Sequence, residues 1–123
     1  MHMFKKLGIG LAVFFLVAAA LILRPVPIVS EDEALVEVGK VVSIYEGGVK
    51  DVVFRLENNS RTFYINRGLE NGLHLDQLQS ELIGKELTFK YPDYWTPLDW
   101  NNNIKHLSKV EYEGVVIFNE LKK

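Results

Sequence analysis

Apolar and polar positions change their spacing along this chain, and each change predicts a different structure. LGIGLAVFFLVAAALIL (7–23) carries no charge or strongly polar side chain and is bounded by Lys5-Lys6 and Arg24-Pro25. At about 1.5 Å rise per residue the run covers roughly 25 Å, slightly less than a hydrocarbon core of about 30 Å, and Phe4 with the stems of Lys6 and Arg24 extends the match. Residues 1–23 therefore read as a cytoplasmic tip and a transmembrane helix. A cleavable signal peptide is the alternative, because Ala18 and Ala20 have the spacing of a cleavage site; Leu21-Ile22-Leu23 carry the apolar run past it. Lys5, Lys6 and the α-amine precede the span, whereas Arg24 stands alone after it with Glu31-Asp32-Glu33 close behind, so the charge bias predicts a single-pass protein with its domain outside the cytoplasm.

RPVPIVSEDEAL (24–35) reads as an extended acidic linker, since Pro25 and Pro27 favour an open backbone and the carboxylates keep it solvated. From Val36 the period becomes two, and 36–123 is the expected folded domain. In VEVGKVVSIYE (36–46), Val36, Val38, Val42 and Ile44 are assigned to one face, with Gly39 as the bulge. Gly47-Gly48 marks a turn. VKDVVFRLE (49–57) and RTFYIN (61–66) form a hairpin around Asn58-Asn59-Ser60, a triplet that also matches a glycosylation sequon. In LHLDQLQSELIGKE, Leu75, Leu78 and Leu82 share a helical face, Asp76 and Gln79 fit a capping box, and Gly84 fits the stop. ELTFKY (86–91) alternates as a half-buried strand. IKHLSKVEYEGVVIFNE (104–120) returns to strand, with Glu113-Gly114 as a tight turn. Phe54, Leu56, Phe63, Ile65, Leu78, Leu82, Leu87, Phe89 and Ile117 are the expected core.

This order of strand, hairpin, short helix, strand, long loop and strand, carried by GKVVSIY, the VVFRLE/TFYIN hairpin and LDQLQSELIGKELTFKY, resembles an OB-fold over about residues 39–118. It also resembles small membrane-anchored bacterial proteins of unknown function. The expected fold class is mainly β with one short helix: an OB-like barrel of five strands plus a C-terminal extra strand after the membrane helix. An SH3-like barrel or an open α+β sheet fits the same pattern.

Charge and composition narrow the chemistry. From Arg24 onward the 14 basic residues are reduced by Lys5 and Lys6 to 12, against all 16 acidic ones, a net charge of −4 that disfavours nucleic acid. The absence of cysteine excludes disulfides, thiolate metal sites and a cysteine nucleophile. His2, His74 and His106 fall in separate elements, and no Ser/Asp spacing around His106 suggests a nucleophile or an orienting group. Asp93 and Asp99 lack the oxygen-ligand spacing of a calcium loop, and Gly68 and Gly72 lack the lysine of a phosphate loop. No metal, cofactor or catalytic residue is expected.

What remains is YPDYWTPLDW (91–100), which gathers four aromatics, two prolines and both tryptophans before Asn101-Asn102-Asn103. Rigid aromatic side chains supply contact area at small entropic cost, and Pro92 and Pro97 stiffen their backbone. Tyr91, Tyr94, Trp95, Asp99 and Trp100 are the candidate binding residues, with Arg55, Tyr64 and Arg67 as an alternative surface. The expectation is a membrane-tethered interaction module without catalysis, binding a protein, peptide or envelope component. The alternatives are a single-stranded nucleic-acid or small-ligand OB module and an enzyme of unrecognised class.

Overall fold

The structure, a computed structural model, describes residues 2–122 and their side chains from Lys5 onward; Met1, Lys123 and the side chains of His2, Met3 and Phe4, which belong to the expected tip and the C-terminus, lie outside the described residues. Helix α1 (His2–Leu23) opens the chain. Its stretch Lys5–Leu23 is long and apolar enough to cross a membrane, consistent with single-pass anchoring. Leu7, Phe14, Phe15, Leu16 and Leu23 stand outward, as an apolar helix does when lipid rather than protein is its surroundings.

The rest is mainly β. Strands β1 (Leu35–Gly47), β2 (Asp51–Leu56), β3 (Thr62–Ile65), β4 (Glu86–Tyr91), β5 (Ile104–His106), β6 (Lys109–Tyr112) and β7 (Val115–Asn119) form one open mixed sheet in the order β5-β3-β2-β1-β4-β6-β7. A closed five-stranded barrel is not formed. The expected long fifth strand divides at Leu107-Ser108, where the Leu107 N–H donates to Tyr64 O and the Ser108 N–H to Lys90 O. The chain thus leaves β3, its parallel partner in β5, and joins β4 antiparallel in β6, after which β7 extends the sheet. Openness matches the open-sheet alternative.

Local rules explain most of the strands. Phe54, Leu56, Phe63, Ile65, Leu87 and Phe89 alternate inward on β2, β3 and β4 and are all buried, each offering about 1.5–3 kcal/mol of burial. The Phe89 ring lies 5.3 Å from Phe54 and 5.0 Å from Phe63, both tilted. Helix α2 (Leu75–Leu82) presses Leu78 and Leu82 onto this cluster. Ile117 is only partly buried against it. Glu113 and Gly114 both take positive φ, 50° and 79°, the backbone of a two-residue hairpin turn.

Three local expectations are corrected. Val36, Val38 and Val42 are about half exposed and do not share the face of buried Ile44; Val41, fully buried, takes the inward position. The register break falls between Val41 and Ser43, so the unpaired residue is Val42 rather than Gly39. Gly39 is instead a point of close approach, since a Cβ there would lie 2.7 Å from Leu56 Cδ1. The capping box does not form either: His74 is the N-cap with no side-chain cap, and Gln79 donates across to Ile44 O at 2.8 Å.

The 24–35 segment is docked rather than free. Glu31 Oε1 accepts from Lys90 Nζ at 2.7 Å and from Lys109 Nζ at 3.0 Å, and the Lys122 N–H donates to Val29 O. These two lysine hydrogen bonds hold the Glu31 carboxyl below its ordinary pKa, while Glu111 and then Glu31 raise that of Lys109.

Candidate functional site

The sheet positions two aromatic groups with different surroundings. Tyr91 ends β4 facing inward; it is 4% exposed, so it supports the loop from beneath instead of being presented. Its ring stands 6.1 Å from Phe63, and Lys105 Nζ lies 5.4 Å from its centroid. The Tyr91 hydroxyl donates to Glu37 Oε2 at 3.1 Å, and Glu37 also accepts from Asn59 Nδ2 at 2.8 Å and Arg61 Nη1 at 3.3 Å. Burial first, then the Glu37 charge, raises the Tyr91 pKa; burial first, then Arg61, lowers that of Lys105. Asn59 of the sequon triplet is thereby a structural residue of the hairpin tip, and its Oδ1 accepts from the Arg61 N–H.

After Pro92 the chain leaves the sheet. Thr96 accepts the Leu98 N–H at the start of a 3-10 turn, Pro97–Asp99. Both oxygens of Asp99 are occupied by backbone: Oδ1 accepts from Asn103 N at 3.0 Å and Oδ2 from Ile104 N at 2.8 Å. Asp99 therefore satisfies donors at the free edge of β5, a role its sequence context did not reveal. Trp95 and Trp100 meet edge to face at 5.3 Å, with the Trp95 Nε1–H donating to Trp100 O. Tyr94 faces back to the helix end: its hydroxyl donates to Arg24 O at 3.0 Å and its ring lies 4.6 Å beneath the Arg24 guanidinium. Arg24 also donates to Trp95 O. Tyr94, Trp95, Asp99 and Trp100 are thus brought together, and Tyr91 is separated from them by its burial.

The alternative surface lies on the outer side of β1, β2, β3 and β5. Register alignment gives one row of Tyr45, Val53, Tyr64 and His106 and a second of Ser43, Arg55, Thr62 and Ile104. Arg55 Nη1 donates to Thr62 Oγ1 at 2.7 Å. Arg67 sits apart, held left-handed (φ 50°) at a turn and paired with Glu70 at 3.5 Å. Two shallow cavities meet on this side and share Tyr64 and Ile104. One of about 190 Å³ lies between Val26, Tyr64, Tyr94, Leu98, Ile104 and His106; the other, about 360 Å³, runs past Gly48, Asp51, Thr62 and Asn66. Burial is the main cause that raises the Tyr64 pKa, with Asp51 next, so its hydroxyl stays protonated at neutral pH.

His106 is tied on both ring nitrogens, Nδ1 to Tyr64 Oη at 3.2 Å and Nε2 to Glu120 Oε1 at 2.7 Å. It braces Tyr64 and fastens the C-terminal segment. The contribution of Val26 and Ile104 to the groove was missed from sequence; Val26 lies between two prolines, and only Ile104 stands out as apolar between polar neighbours. Comparison with protein-family models, curated proteins and solved structures finds no match to this chain.

Proposed function

We propose that the chain is a membrane-tethered, non-catalytic binding module that captures an extended protein segment or another envelope component outside the cytoplasm and close to the bilayer. The observation that carries this reading is the pair of cavities that meet over Tyr64 and Ile104, which offer apolar walls from Val26 and Ile104 beside a few polar groups from Asp51, Thr62 and His106. The charge bias of Lys5 and Lys6 against Arg24 supports the orientation. An OB-like ancestry of the sheet is supported by the β1–β2–β3 meander, the helix between β3 and β4, and the parallel β3–β5 pair.

The groove is tested in cells with photo-crosslinking side chains at Ile104 and Thr62, against Thr88 on the sheet's other half as control. The same cross-linked component is expected from both groove positions and not from Thr88. Ile104→Arg, at a half-exposed position, should lower its yield more than tenfold, equivalent to about 1.4 kcal/mol, with the melting temperature unchanged. Equal labelling from Thr88, or an undiminished yield from the Ile104→Arg variant, overturns the reading.

A further inference from the structure

The aromatic loop carries a feature that a groove wall does not need. Leu98 is 73% exposed and Trp100 74% exposed, although both sit on a loop whose backbone is tied down. Within the loop, Thr96 accepts the Leu98 and Asp99 N–H groups, Asp99 O accepts that of Asn102, and the Asp99 carboxylate takes those of Asn103 and Ile104. The Trp95 indole N–H is satisfied by Trp100 O. Pairing these N–H groups within the loop lowers the cost of bringing it towards a medium poor in water.

Its position supplies the medium. The turn Pro97–Asp99 packs against α1. Arg24, the first residue after that helix, is locked to the loop through the Tyr94 ring, the Tyr94 hydroxyl and Trp95 O. These contacts bring Leu98 and the paired indoles of Trp95 and Trp100 close to the end of α1, where a membrane-spanning helix would leave the bilayer. Tryptophan and tyrosine favour that level because the ring is apolar and the heteroatom polar, and a cation such as Arg24 can reach the headgroups from there.

We infer that residues 94–100 form a lipid-seated foot: Leu98 and Trp100 enter the headgroup–acyl boundary of the bilayer that holds α1, and the Arg24–Tyr94 clasp fixes the tilt of the β domain above it. This rests on α1 being a membrane span, and it assigns to lipid the side chains that the sequence pattern offered to a protein partner.

The chain's two tryptophans allow each to be observed alone, Trp100 in the Trp95→Phe variant and Trp95 in the Trp100→Phe variant. The full-length protein is placed in phosphatidylcholine vesicles, with or without bromine near the headgroup end of the acyl chains, and recovered by flotation. Trp100 emission is expected to be quenched by roughly half or more by the brominated lipid and shielded from aqueous iodide, as for a ring at the interface. Arg24→Ala should weaken the bromine quenching and restore iodide access. Protein that floats while Trp100 ignores bromine and is open to iodide overturns the foot and leaves the span intact. Protein that does not float overturns both the span and the foot.

Discussion

Two aromatic clusters lie only Pro92 and Asp93 apart in this chain and have opposite environments. Phe54, Phe63, Phe89 and Tyr91 interlock inside the sheet, with Tyr91 4% exposed; Tyr94, Trp95 and Trp100 lie outside it, with Trp100 74% exposed. Both are built from aromatic side chains. What separates them is backbone: the first group occupies alternate ladder positions whose register directs the rings inward, whereas Pro92 and Pro97 deny the second group a ladder. Aromaticity supplies the area, and pairing decides whether protein or its surroundings receives it.

The contrast breaks most sharply at Phe63. Phe63→Ala should cost about 3–5 kcal/mol, enough to leave much of a domain this size unfolded, read as lost cooperativity in a denaturant titration. Gly39→Val should cost about 1–3 kcal/mol, because its Cβ would meet a buried Leu56 side chain at 2.7 Å. Pairing it with Leu56→Ala should give a double variant less destabilised than the sum of the two, which a double-mutant cycle measures. Asp99→Ala, which strips two backbone donors of their acceptor, should cost about 1 kcal/mol and speed amide exchange at Asn103 and Ile104. Trp100→Ala should move stability by no more than about 0.5 kcal/mol; a loss as large as that at Phe63 would erase the distinction between the clusters.

The smallest effect concerns the linker. The Glu31 pKa is lower folded than unfolded, so its clasp contributes stability in full above the ordinary carboxylate range and loses it as pH falls through the folded value. Acidification below the ordinary carboxylate range should therefore lower the hydrogen-exchange protection factors of residues 29–34, measured against intrinsic rates at the same pH, while the sheet stays protected. Glu31→Gln should show the faster exchange already at neutral pH.

Much of this was legible in the sequence because it is local. Alternation gave β2, β3 and β4 and six of the expected core residues, Leu78, Leu82 and Gly84 gave α2 and its end, and Glu113-Gly114 gave the last hairpin. The failures share a cause. Val41 and Val42 are identical side chains, so only the partner strand determines which one turns inward. Gln79 abandons its helix start for Ile44 O, and Glu31 finds lysines 59 and 78 positions away. For the site, the aromatic composition was visible, but the burial of Tyr91 and the clasp of Tyr94 by Arg24 depend on contacts that no spacing rule contains.

The bulge at Val42 also bears on how this chain can change over generations. Residues 35–40 of β1 pair with β4, and residues 41–47, with the bulge just inside them, pair with β2. Because side chains alternate with a period of two, loss of a single codon here would turn one half of the strand over relative to the other, exchanging Ile44 for its polar neighbours or Gly39 for Lys40. Substitutions along β1 can be absorbed one side chain at a time. A one-residue deletion cannot, so the length of β1 should drift far less than its letters, while the half-exposed Val36, Val38 and Val42 vary freely.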